Sequence, residues 1–186
     1  KAICAVSGKL DYLYDENSPR FRLSPKHYAF VKISEGCSNF CSYCIISRLR
    51  GALRSRSVGS ILKEITDISA SGVLREIDLI GQDTTIFGLD RYGKAVLAGL
   101  LEKISRLENR VEWIRILYPH PAHYKVRLKE VIAREERICK YLDVPIQHIS
   151  DDILKRMNRR TSGKYIRTLI DNLRDRIPGV TLRTSV

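Results

Sequence analysis

No apolar run in this chain of 186 residues approaches the roughly 18 that a membrane-spanning helix needs, which excludes a helical span. No secretory signal opens it either. The chain begins Lys1-Ala2-Ile3-Cys4, too short a lead for such a signal and without an initiator methionine, so it reads as starting inside a larger protein. Cysteine is scarce: five residues, an odd number, three of them crowded together. That distribution argues against a disulfide framework and for a reducing, cytoplasmic compartment. Acid is short as well. Against 33 lysines and arginines stand 21 aspartates and glutamates, a formal net charge of +12. The excess favours a polyanionic partner such as nucleic acid or a nucleoprotein, and it expects no membrane. A content of 44% hydrophobic residues over this length suits one globular domain with a sizeable core.

What the chain does have is the run Glu35-Gly36-Cys37-Ser38-Asn39-Phe40-Cys41-Ser42-Tyr43-Cys44, a C-x3-C-x2-C spacing directly after a β-rich segment. Three thiolates on one tight loop can hold three irons of a cubane 4Fe-4S cluster and leave the fourth open to a small molecule. A structural zinc site completed by His27 or His148 is the alternative, as part of a zinc-stabilised nucleic-acid-binding module. Zinc ligands usually come in pairs, and no second cysteine pair is present, so the spacing favours the cluster. Inert thiols are the third reading.

Strand and helix patterns alternate along the chain. Residues 1–27 read as a leading segment broken by turns at Asp15-Glu16-Asn17-Ser18-Pro19 and Ser24-Pro25. Strands are expected at Tyr28 to Ser34, Glu76 to Ile80, Val111 to Tyr118, Tyr141 to Gln147 and Val180 to Val186. Helices are expected from Ser57 to Ser71, over Val96 to Leu107, from Tyr124 to Ile138, over Asp151 to Met157 and from Lys164 to Ile177. This alternation predicts an α/β fold with a parallel sheet and helical crossovers. Ligands bind at the carboxyl ends of such strands. There lie the cysteine loop, Gly81-Gln82-Asp83, His120 and Gln147-His148. Two basic clusters stand out. Arg48, Arg50, Arg54 and Arg56 lie beside the cysteine loop and suit an anion or a docked partner; Lys155, Arg156, Arg159, Arg160, Lys164 and Arg167 read equally well as a solvated helix face.

The cysteine spacing at the end of a first strand resembles the signature of the radical S-adenosylmethionine enzymes. Lys32-Ile33-Ser34-Glu35-Gly36-Cys37, Arg50-Gly51, Ser55-Arg56-Ser57, Gly81-Gln82-Asp83-Thr84 and Val144-Pro145-Ile146-Gln147 resemble the methylthiotransferase branch of that family. His27-Tyr28-Ala29, Gln82-Asp83-Thr84 and Asp143-Val144-Pro145-Ile146-Gln147-His148 are closer to the branch that modifies a ribosomal protein than to its transfer-RNA counterpart, which remains the rival substrate class. The resemblance implies a partial (β/α) radical-SAM barrel, a parallel sheet with outer helices, truncated before the sixth strand. It divides the chain into residues 1–24, the tail of an N-terminal methylthiotransferase domain with its linker, and residues 25–186, the core.

The resemblance also implies chemistry. Cys37, Cys41 and Cys44 would hold the 4Fe-4S cluster, and S-adenosylmethionine would chelate its open iron. A 5′-deoxyadenosyl radical would then take hydrogen from the β-carbon of an aspartate on the twelfth small-subunit ribosomal protein, free or in the assembled subunit, which ends as β-methylthio-aspartate. Gly81, Gln82 and Asp83 would contact the methionine amino group, Gln147 the ribose or carboxylate, and Arg183 the carboxylate as a planar fork. Tyr43 would pack beside the cluster or adenine. His148 reads as structural and Cys139 as a small buried hydrophobe. An electron donor such as flavodoxin or ferredoxin is implied. The family's second cluster belongs to three further cysteines of its N-terminal domain; only Cys4 precedes the core here, and the C-terminal TRAM domain has no counterpart. The chain by itself is therefore expected to bind one cluster and cleave S-adenosylmethionine without completing the transfer.

Overall fold

The computed structural model describes residues 12–186. Cys4, and residues 1–11 of the leading tail, lie outside them. Five parallel strands form the main sheet: β1 (Tyr28–Lys32), β4 (Glu76–Ile80), β5 (Trp113–Ile116), β6 (Ile138–Asp143) and β7 (Thr181–Arg183), in that spatial order. Neighbours in sequence are neighbours in space, so each strand returns parallel through a crossover. The register pairs Val31 with Leu79, Leu79 with Ile116, and Leu142 with both Ile116 and Leu182. Two short strands, β2 (Ser34–Glu35) and β3 (Arg54–Ser55), form an antiparallel pair of their own.

Alternation along each strand decides what meets the helices. Ala29, Val31, Ile77, Leu79, Ile114, Ile116 and Leu142 are buried in one core with the apolar faces of α2 (Val58–Ser69), α4 (Leu97–Ser105), α5 (Val126–Arg134) and α7 (Gly163–Arg176). The helices follow one another around the sheet, α2 beside α4, α4 beside α5 and α5 beside α7. The alternate residues mix aromatic rings with charge. Arg115 Nε lies 2.6 Å from Glu76 and 3.6 Å from Asp78, with its guanidinium over the Tyr141 ring. Cys139 is on that polar side, half-buried, rather than in the apolar core. No helix of the described residues is long and apolar enough to cross a membrane.

The expected helices are present, and local chemistry explains their starts. Ser57 and Ser162 cap α2 and α7, their hydroxyls accepting from Ser60 N and Tyr165 N at 3.1 Å. Boundaries moved where backbone donors run out. The fourth long strand begins at Ile138, inside the expected helix, because α5 ends at Arg134 with Glu135 extended. It stops at Asp143, since Pro145 has no N–H to give the ladder. Gln147 therefore lies beyond the strand, with φ +70°. Two more short helices, α1 (Ile46–Leu49) and α3 (Leu89–Tyr92), and a 3-10 turn at Thr84–Ile86 are too brief to show a period in sequence.

The first basic cluster divides. Arg56 is no surface cation: it is 1% exposed and paired with Glu64, itself buried, and it donates to the Lys32 carbonyl at 2.9 Å. Arg48 and Arg50 stay exposed and Arg54 half-buried.

Candidate functional site

The cysteine loop is closed at its base. β2 and β3 pair its two ends, and Gly36, at φ +77°, starts it. A Cβ there would lie 2.2 Å from the Ala52 carbonyl oxygen, so only glycine fits. Cys37 N donates to Gly51 O at 3.1 Å and Cys44 N to Cys41 O at 3.0 Å. The outer side docks on the turn between α6 (Asp151–Arg156) and α7. Ser42 N donates to Met157 O, Ser42 Oγ to Arg156 O, and Asn158 Nδ2 to Phe40 O.

All three thiols are free and line one cavity of about 480 Å³ with Tyr43, Gly81, Gln82, His120, Asp143, Gln147, Arg159 and Arg183. Residues far apart in sequence are thus brought together at the carboxyl ends of β1, β4, β5, β6 and β7. A volume of this order suits a small-molecule site. Cys37 and Cys41 are half-buried and Cys44 is exposed; burial pushes the Cys37 thiol up.

Gly81 forms the floor, where an added Cβ would sit 2.7 Å from Ser34 Oγ. Gln82 Nε2 donates to Glu35 Oε1 at 3.1 Å, which leaves Gln82 Oε1 buried without a partner. Burial works against the Glu35 carboxylate, but the Lys32 ammonium, the Gly36 N–H and Arg50 together hold it below the usual range.

Asp83 does not line the cavity. At 1% exposure its carboxylate accepts from Asn39 Nδ2 at 2.8 Å and Thr85 N at 3.0 Å, and meets His123 Nδ1 at 3.0 Å. Burial opposes its charge, and these bonds outweigh burial to hold its carboxyl below the ordinary value. Through Asn39 the same carboxylate grips the cysteine loop from inside. His148 is likewise turned aside, its Nδ1 accepting from Ser150 N at 2.9 Å.

Arg183 ends β7 with its guanidinium exposed, 3.9 Å from Asp143 Oδ2. Asp143 Oδ1 is buried and unpartnered. Gln147 is held by its backbone, N donating to Ser185 O at 2.8 Å. His120, already marked by its strand-end position, is buried, with Nδ1 facing Ala122 N and Nε2 facing Arg159 Nη1. Burial, then the arginine charge, push its pKa down to about 4, so it is neutral near pH 7. Asn39, Asp143 and Arg159 are the residues that pattern reading did not single out for the site. Arg159 sits in a run of surface cations, and nothing local distinguishes it.

The thiols suit a cluster better than a single ion. Among the described residues, the one set of three such side chains with ligand atoms all within 4.8 Å is Asp83, His120 and His123. The cysteine sulfurs are thus spread wider than the ~3.8 Å between sulfurs bound at about 2.3 Å to one tetrahedral zinc. The Asp83 set is engaged in hydrogen bonds and faces the Arg159 cation, an arrangement that repels a metal ion.

Comparison with known proteins accords with this geometry. The family model described as the radical SAM superfamily matches residues 31–186. The chain is 50% identical over 180 residues to the ribosomal protein uS12 methylthiotransferase RimO of Geotalea uraniireducens, covering 97% of this chain and 40% of that protein. It is 49% identical to the RimO of Syntrophotalea carbinolica, covering 96% and 39%. The chain spans about two-fifths of the length of these relatives. In fold it is similar to the radical S-adenosylmethionine methyltransferase TsrM of Kitasatospora setae, at TM-score 0.65 and 17% identity over 86% of this chain and 30% of that one. It is similar also to the cobalamin-dependent radical enzyme OxsB, at TM-score 0.64 and 18% identity over 83% and 23%. With a family match across its sheet, helices and cysteine loop, the chain belongs to the radical SAM superfamily.

Proposed function

We propose that this chain is the cluster- and S-adenosylmethionine-binding core of a methylthiotransferase acting on ribosomal protein uS12, with an aspartate as the modified residue. The observation that carries the reading is the joint lining of one cavity by Cys37, Cys41, Cys44, Gly81, Gln82, Gln147 and Arg183, in a chain half identical to RimO proteins. The three cysteines would hold a 4Fe-4S cluster, the wide spread of their sulfurs supporting it over zinc. When bound and reduced, that cluster supplies the electron that cleaves S-adenosylmethionine to a carbon radical.

The chain's own residues do the rest by position. Gly81, whose missing Cβ makes room for Ser34, brings the backbone just after β4 to the cavity wall. The Arg183 guanidinium, open to the cavity, suits a carboxylate. Gln147 and the spare Gln82 Oε1 offer hydrogen bonds to amino or hydroxyl groups. Tyr43 packs over the ligand as an apolar wall, and Asp83 steadies the cysteine loop through Asn39. Residues 25–186 act as the core, and residues 1–24 as the tail of a preceding domain. A flavodoxin or ferredoxin would supply electrons.

The test is anaerobic reconstitution, followed by metal analysis and electron paramagnetic resonance of the dithionite-reduced chain with and without S-adenosylmethionine. About four irons per chain and a reduced-cluster signal that shifts on adding the ligand are expected. A folded, colourless protein with stoichiometric zinc ends the reading. Substrate class is read with the full-length protein: a mass gain on uS12 supports it, and methylthio-adenosine in tRNA overturns it.

A further inference from the structure

One side chain in the cavity has no role in that reading. Arg159 follows α6 among cations that face water, Lys155, Arg156 and Arg160, yet it is itself only 9% exposed. The turn is bent back to place it: Asn158 adopts φ +55°, and Arg159 N donates to Leu154 O at 2.9 Å. Its guanidinium then reaches three separate segments. Nη1 lies 3.7 Å from Cys41 Sγ, within hydrogen-bond range for sulfur, and also faces His120 Nε2; Nη2 donates to the Pro145 carbonyl. Nε is buried with no partner.

We propose that Arg159 is a positioning residue that raises the reduction potential of the cluster by donating an N–H···S hydrogen bond to Cys41 Sγ. The proposal rests on the cluster reading above. Reduction adds one electron, here from dithionite, and breaks no bond. The added negative charge spreads over the sulfurs, and hydrogen bonds to those sulfurs are a known lever on cluster potential. A guanidinium held against one ligand sulfur in a half-buried site stabilises the reduced state more than the oxidised one. His120 and the Pro145 carbonyl fix the guanidinium so that it cannot swing to water. Lysine keeps the charge but not the fork, so it cannot meet all three partners at once.

The experiment is a redox titration of the anaerobically reconstituted chain, read from the reduced-cluster resonance signal, for wild type, Arg159→Gln and Arg159→Lys. Iron content and thermal melting of the iron-free proteins control for folding. Arg159→Gln should lower the equilibrium constant for reduction about tenfold, about 59 mV for one electron, at unchanged iron content. Arg159→Lys should fall between the two. A variant that melts lower yet keeps the wild-type potential makes Arg159 a strut only and overturns the proposal, as does an unchanged potential with unchanged melting. Should Arg159→Gln fail to fold, Arg159→Lys decides: a several-fold loss supports the proposal and none overturns it. A wild-type chain that takes up no cluster refutes the cluster reading instead.

Discussion

At the scale of single residues, several charges are held against the preference for water. Asp78 on β4 is buried, its Oδ1 without a hydrogen bond although 3.6 Å from Arg115 Nε; burial, then the neighbouring Glu76 charge, push its pKa up to about 6 despite that cation. Its folded pKa lies above the unfolded one, so the folded state binds the proton more tightly. The stability this contributes is full below about pH 4 and is lost as pH rises through about 6. Asp78→Asn should therefore leave stability near pH 4 little changed and raise it at pH 7, by roughly 1–3 kcal/mol. Urea unfolding at both values checks this; equal stability of the two proteins at pH 7 contradicts it. The resemblance named Asp83 and Arg183 as ligand contacts, while the sequence placed Arg56 in a cluster suited to an anion or a docked partner and Arg159 in one that read equally well as a solvated helix face. The residue types were legible, but their directions were not, because a side chain's environment is made by segments far away in the chain.

At the scale of elements, length separates what pattern reveals from what it hides. The long helices α2, α4, α5 and α7 each show an apolar face over several turns, and such a face has one solution. Helix α1, helix α3 and the β2–β3 pair span two to four residues each, too few for any period. They exist because the cysteine loop must be closed and docked. Gly36 is where that closure is most constrained. Gly36→Ala adds a left-handed alanine and drives a Cβ into the Ala52 carbonyl, a strain of about 1–3 kcal/mol or more concentrated on the loop. The expected result is iron uptake several-fold below wild type, with far-ultraviolet circular dichroism unchanged. Full iron uptake by Gly36→Ala would show that the loop closes without this turn.

At the scale of the whole molecule, the sheet treats its two edges differently. Beside β1, the leading segment reaches over: Arg20 Nη2 donates to the Phe30 carbonyl, Arg20 pairs with Glu64, and Tyr14 OH bonds Glu64 at 3.1 Å. At the other edge β7 leaves its outer side unpaired among the described residues. Bare strand edges template pairing with another chain. The chain on its own should self-associate in sedimentation experiments as concentration rises. Lysine in place of the exposed Thr181 should weaken that association several-fold; equal association of the two proteins would locate it elsewhere.

The alternation of strands and helices along the chain, the helical crossovers and the three thiols as a set were determined by the sequence itself, because period, capping residues and cysteine spacing are local quantities. Only the tertiary structure decided which strand ends converge, that Asp83 serves the loop rather than the cavity, and that Arg159 reaches a cysteine sulfur. Those outcomes depend on distances between residues as many as 118 positions apart, as Arg159 is from Cys41. No local pattern encodes such a distance; it is set by how sheet and helices pack.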